Sequence, residues 1–238
     1  MDNQIAELLN KTFEDHEDLD INGGVLIPIQ KPGKPKGPPN NLRPITLLNT
    51  IRKALSTIIL KRIRPQIESY LSESQSGFRP DRSTADVVWA HKWLVAKTKI
   101  ENTNIKITGI DMSAAFDTID RELLLKILEP IIQEDEIRLT QFLLSNTQIN
   151  IHVNGATQKL PFISNVGTPQ GDSLSPVLFI VYLEHALREV RSIIPKLEAK
   201  YQHLPREIIY ADDYDNITDD TNKKQVFKMP TWSWMALG

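Results

Sequence analysis

The chain has 238 residues, 40% of them hydrophobic and 24% charged, with a net charge of -2 at pH 7 and no cysteine. This ordinary globular composition allows one large domain or two small ones. It excludes a disulfide framework or a thiolate metal site and fits an intracellular protein, with nucleus and cytoplasm both open. No apolar run approaches the ~20 residues of a membrane span, so no membrane partner is expected. The acidic first residues have no apolar core of a signal peptide.

Residues 1–24 read as an acidic arm. "GGVLIPIQKPG" then supplies a short apolar strand, Val25 to Ile29, and leads into "KPGKPKGPPNN", a Pro, Gly and Lys loop with almost nothing to bury. "LRPITLLN" reads as the returning strand, so the unit is a hairpin with a mobile basic tip. In "TIRKALSTIILKRIRPQIESYL" the residues Ile51, Leu55, Ile59, Ile63 and Ile67 recur every four positions, which is one helical face. Pro65 is expected to kink or split that helix. After the polar loop "SESQSGFRPDRST", Asp86 to Lys97 returns to helix, with Val88, Trp89 and Trp93 available for a core.

"TNIKITGID" alternates as a strand that ends at Asp111. A helix follows, with Asp120 as its N-cap and Leu123, Leu124, Ile127 and Leu128 on its buried side. Residues 137–153 give a further helix and a strand. "NVGTPQGDSLSPVLFIVYLEHALREV" is a Gly-bearing loop with Ser175 as N-cap and Pro176 at the first helical position. Ile180, Leu183, Leu187 and Val190 then share one face. In "REIIYADDYDNIT" an apolar strand runs into two adjacent carboxylates, Asp212 and Asp213, at the tip of a hairpin.

Taken alone, Asp111 would only cap a turn. Three carboxylates at strand ends are another matter, because like charges repel and resist burial. If the strands are neighbours, divalent cations are what would neutralise them. Mg²⁺ needs only one or two carboxylates plus phosphate oxygens, and two such ions about 4 Å apart can clamp a phosphoryl transfer. The charge distribution points the same way. Lys31 to Arg82 holds eleven Lys or Arg against three acids, an excess of eight inside an acidic chain. Such a block suits a polyanion, or else is a solvated face.

Five motifs occur in order: Arg43-Pro44-Ile45; Gly77-Phe78-Arg79 with Arg82-Ser83-Thr84; Asp111 with Ala115-Phe116-Asp117; Pro169-Gln170-Gly171 with Leu174-Ser175-Pro176; and Tyr210-Ala211-Asp212-Asp213. Together they resemble the reverse transcriptase domain of non-long-terminal-repeat, LINE-like retrotransposons. The resemblance implies an α+β fold: right-hand polymerase fingers and palm over residues 25–218, with an antiparallel palm sheet flanked by helices. It also implies RNA-directed DNA polymerase activity, a two-metal nucleotidyl transfer of dNTPs onto a primer 3′-hydroxyl, with RNA template, DNA primer and Mg²⁺ or Mn²⁺ as partners.

Residue by residue, Asp111, Asp212 and Asp213 match the family's catalytic, metal-binding carboxylates. Phe116 matches the bulky residue under the sugar of the incoming nucleotide, where a 2′-hydroxyl would collide. Gln170 matches the lining of the nucleotide pocket, and Arg43 the fingers arginine on the triphosphate, assisted by Lys34 or Lys36. Gly77, Phe78, Arg79, Arg82 and Gly171 match the segments along the template. The tail 219–238 is shorter than the family's thumb and lacks its apolar strand pattern, so a truncated element copy is expected. "YDNIT" is also less apolar than the family's return strand. Two rival readings are a catalytically silent nucleic-acid-binding remnant and an RNA-dependent RNA polymerase. The latter usually carries an acid where this chain has Phe116.

Overall fold

The computed structural model describes residues 21–110, 112, 115–145, 147–153, 155–157, 160–193, 197 and 199–219. Strand β1 (Gly24–Gln30) and strand β2 (Leu42–Leu48) form the expected antiparallel hairpin, in register from Gly24 opposite Leu48 to Gln30 opposite Leu42. Its Pro/Gly/Lys tip is laced by its own hydrogen bonds. The Gln30 amide donates to the Lys34 carbonyl (3.0 Å), the Asn41 amide to the Pro35 carbonyl (2.8 Å), and Lys31 Nζ to the Asn40 carbonyl (2.9 Å). β1 also pairs in parallel with β4 (Thr147–Val153), which in turn carries β5 (Ala156–Thr157) and β6 (Phe162–Ser164).

The second sheet is antiparallel, in the order β3 (Ile105–Ile110), β8 (Asp213–Asp219), β7 (Glu207–Tyr210). Alternation along these strands sends neighbouring residues to opposite faces. Ile209 and Tyr214 join the larger core, built on helices α1 (Thr50–Tyr70), α3 (Arg121–Leu128), α4 (Glu134–Leu144) and α5 (Ser175–Ile193). Ile208 and Ile217 face the other way, onto Leu94 of helix α2 (Thr84–Ile100) and onto Leu204. Helices therefore cover both faces of this sheet, and the fold is α+β. No helix among the described residues is long and apolar enough to cross a membrane.

Helix α1 is one continuous helix with Pro65 inside it, not two pieces. Leu55, Ile59, Ile63 and Ile67 are all buried. At about 1.5–3 kcal/mol gross per buried side chain, they outweigh the roughly 3 kcal/mol that an interior proline costs. Asp120 caps α3 as expected, accepting from the Leu123 N–H at 3.0 Å. The expectation for α2 fails in part: Trp89 is 67% exposed and Val88 51%. The helix turns Val87, Ala90 and Leu94 toward the sheet, with Trp93 packed alongside. Residues 88 and 89 lie about 100° and 200° around from Val87 and point away from it. Ser175 is likewise not a cap. It is the first helical residue, and its hydroxyl donates back to the Pro169 carbonyl at 2.9 Å.

Two cations of the basic block serve the fold. Arg52 is fully buried, with Nε 3.4 Å from an Asp172 carboxylate oxygen and Nη1 donating to the Asn22 side chain at 2.7 Å. Arg79 donates to Glu68 (2.8 Å) and to the carbonyls of Ser72 (2.7 Å) and Gln75 (3.2 Å). The surface excess of charge is smaller than a count along the sequence suggests.

Candidate active site

The β7–β8 hairpin brings the paired aspartates to the rim of the palm sheet. Tyr210 pairs with Asp213, which leaves Ala211 and Asp212 as a two-residue turn. Ala211 is left-handed, φ +55°, although it is not glycine. Its N–H donates to Gln75 Oε1 at 2.9 Å, and its carbonyl accepts from Gln75 Nε2 at 3.2 Å. Gly77 lies so close that a Cβ there would sit 2.2 Å from the Ala211 nitrogen. Glycine is therefore required by close approach at this position. Asp213 is exposed and Asp212 half-buried, and the Asp212 carboxylate has no ion-pair partner among the described residues. Asp111 lies outside the described residues. The strand before it ends at Ile110, which pairs with Tyr214.

Two further loops meet beside this hairpin. The Phe116 ring packs on Phe179 at a centroid distance of 4.9 Å and meets the Phe78 ring edge-on at 6.1 Å. Phe78 is left-handed, φ +57°, an uncommon state for a bulky residue. The loop before α5 is bound to the Phe116 loop by two backbone bonds of 2.8 Å, Gly167 N–H to the Ile119 carbonyl and Thr168 N–H to the Phe116 carbonyl. Gln170 donates to both Asp117 carboxylate oxygens, at 3.0 and 3.3 Å. Its carbonyl accepts from the Thr46 N–H of β2 at 2.7 Å. A Cβ at Gly171 would fall 2.4 Å from the Thr46 carbonyl oxygen. Loop, fingers hairpin and palm thus touch through backbone.

Residues 29–229 match the family model described as "Reverse transcriptase (RNA-dependent DNA polymerase)". The chain belongs to the reverse transcriptase family. Among curated relatives it is 25% identical over 193 residues to "Probable RNA-directed DNA polymerase from transposon BS" of Drosophila melanogaster, covering 79% of this chain and 20% of that protein. It is 27% identical over 156 residues to the "Retrovirus-related Pol polyprotein from type-1 retrotransposable element R2" of Popillia japonica, covering 65% and 22%. The chain thus spans about a fifth of the length of these curated relatives. The resemblance drawn from the five motifs, to non-long-terminal-repeat retrotransposons, is the one these matches bear out. Among solved structures, apo telomerase from Candida tropicalis truncated from its C-terminal domain superposes with a TM-score of 0.57 at 11% identity, covering 96% of this chain and 49% of that one. Telomerase from the same organism with a telomeric RNA fragment gives 0.59 at 15% identity, covering 92% and 40%. That likeness is one of fold, and it agrees with the fingers-and-palm arrangement.

Within this reverse transcriptase chain the remaining motif residues are distributed as follows. Arg43 lies exposed on β2, and Lys34 and Lys36 lie exposed at the hairpin tip. Arg82 is half-buried and donates to the Glu73 carbonyl at 2.5 Å. Among the described residues, no three His, Cys, Asp or Glu form a group fit for a metal ion; Asp111 is not among those residues.

Several residues at the site were not legible beforehand. Gln75 is one, because its partner Ala211 lies 136 residues away. Arg121 is another. It donates to the carbonyls of Ser164 (2.6 Å), Gly167 (2.7 Å) and Val166 (3.2 Å), to the Ser164 hydroxyl (3.2 Å) and to the Leu144 carbonyl. Burial, aided by the nearby Arg52 charge, lowers its pKa to about 10. One signal was present: a cation in the first turn of a helix opposes the helix dipole, so Arg121 had to serve something beyond α3.

Proposed function

We propose that the chain is the catalytic fingers and palm of an RNA-directed DNA polymerase, which extends a DNA primer 3′-hydroxyl with deoxynucleotides on an RNA template. The observation that carries this reading is the two-residue turn presenting Asp212 and Asp213 at the rim of the β3–β8–β7 sheet, in a chain of this family. The family generally uses divalent metal ions. Asp111, Asp212 and Asp213 would hold Mg²⁺, or Mn²⁺ in its place. The donor set suits a hard cation, since carboxylate oxygens are the preferred ligands and Asp212 has no competing cationic side chain among the described residues. Such ions, when bound, supply charge stabilisation for an in-line displacement at phosphorus.

The chain's other residues act by positioning and exclusion. Arg43, exposed on β2, would take the triphosphate through bidentate contacts, with Lys34 or Lys36 assisting. Phe116, backed by Phe179, forms a wall against which a 2′-hydroxyl would collide. Gln170, held by Asp117, lines the nucleotide pocket beside the template base. Gly77, Phe78, Arg82 and Gly171 lie along the template path. Arg79 supports that path by tying the 72–75 segment to Glu68. Template sequence is read by base pairing, so the protein needs shape and phosphate contacts.

The test is extension of a labelled DNA primer on an RNA template by wild type and Asp212→Asn. Template-dependent DNA product from wild type alone is expected. RNA binding without extension would favour a catalytically silent remnant. A preference for ribonucleotides would favour an RNA polymerase.

A further inference from the structure

Gln75 is a buried side chain, 2% exposed, that leaves the segment after α1 and reaches the turn between β7 and β8. Its Oε1 accepts two backbone N–H groups, from Gly77 at 2.7 Å and from Ala211 at 2.9 Å. Its Nε2 donates to the Ala211 carbonyl at 3.2 Å. One side chain thus satisfies both backbone polar groups of one turn residue. That residue is in a left-handed conformation, φ +55°, which a Cβ disfavours. The base from which Gln75 acts is itself anchored. Ser76 N–H donates to the Ile209 carbonyl at 2.9 Å and Ile209 N–H to the Ser74 carbonyl at 3.2 Å, so residues 74–76 run beside β7.

We infer that Gln75 is a positioning residue for the catalytic hairpin. It holds Ala211 left-handed and so fixes the direction in which Asp212 and Asp213 leave the turn. The inference rests on the reading of those two aspartates as the reaction's carboxylates, and deepens it. The chemistry calls for one planar group that accepts two hydrogens and donates one. A carboxamide does this; a carboxylate keeps only the acceptor, and a thioether provides neither at comparable strength. The absent side chain at Gly77 lets the two backbones approach closely enough for one oxygen to serve both.

The experiment compares wild type, Gln75→Glu and Gln75→Met in the full chain. Amide hydrogen exchange by NMR should show Ala211 protected in wild type and exchanging at least about tenfold faster in the Met variant. Ile209, whose N–H is held by the Ser74 carbonyl, should keep its protection. In primer extension the Met variant should lose at least about tenfold in kcat with KM for dNTP nearly unchanged, and the Glu variant should retain more because its acceptor remains. If the Met variant does not fold, Gln75→Asn, too short to reach, carries the same test. Equal Ala211 protection in wild type and the Met or Asn variant overturns the inference, as does a loss confined to KM. If wild type itself extends no primer, the functional reading fails, and the exchange measurement still decides whether Gln75 holds the turn.

Discussion

Gln170 and Asp117 are joined by a pair of hydrogen bonds, from one amide nitrogen to both carboxylate oxygens. The pair ties the loop before α5 to the loop after β3. Shielding of the carboxylate pushes the Asp117 pKa above the usual aspartate range, while the Gln170 hydrogen bond and the Lys31 charge pull it back. A raised folded pKa means that the folded state binds the proton more tightly than the unfolded chain does. Stability from this group is therefore present at low pH and declines as pH rises from the ordinary aspartate value through the folded one. Asp117 is exposed as a whole residue, so screening keeps the effect small. Asp117→Asn should flatten that decline in urea unfolding followed between about pH 4 and 6. Asp117→Ala, which frees Gln170, should raise KM for dNTP.

Phe116 stands between Phe179 and Phe78. Removing its ring opens space where the sugar is proposed to lie. Phe116→Val should raise the ribonucleotide-to-deoxynucleotide ratio of kcat/KM by at least about tenfold, the equivalent of 1.4 kcal/mol. An unchanged ratio would move the sugar elsewhere.

Arg79 and Arg82 are both cations of the same motif, yet they should separate in experiment. Arg82→Ala should weaken RNA binding and reduce the slope of log affinity against log salt by about 0.7 on single strands, one phosphate contact's worth. Arg79→Ala should act mainly on stability, because it removes the tie to Glu68, Ser72 and Gln75. Melting curves and salt titrations on the two variants check this.

The buried Arg52–Asp172 pair makes a sharper stability prediction. Asp172→Ala leaves the Arg52 guanidinium buried without its carboxylate, and one such uncompensated charge typically costs about 3–5 kcal/mol. Denaturant unfolding should show a loss of that order. A loss below about 1 kcal/mol would mean that water reaches Arg52.

Much of the fold was legible because its signals are local. Ile59, Ile63 and Ile67 recur with the helical period, and Asp120 stands where a cap is needed. The hairpin of β7 and β8 announces itself by an apolar run broken at two carboxylates. What was not legible depends on partners far along the chain. Trp89 looks like core by residue type, but its phase on α2 turns it outward, and that phase is set by where the sheet lies. Arg52 looks like part of a phosphate-binding surface until Asp172 arrives from 120 residues away. Asn216, in a strand of polar composition, is buried against the same sheet. At the candidate site, the residues that carry the motifs were identifiable, whereas Gln75 and Arg121, which hold the loops in place, were not.

The pairing of β3 with β8 has a consequence for how the protein is made. Ile105 and Ile110 wait for Asp219 and Tyr214, more than a hundred residues downstream. At about 5–20 residues per second, a ribosome needs roughly 5–20 s to deliver them. Through that interval "IKITGI" has no β8 to pair with, and an unpaired apolar strand edge is a template for association with another chain. Yield of the native protein should therefore depend on crowding among nascent chains, and slowing initiation should raise the soluble fraction more than stabilising the finished fold does.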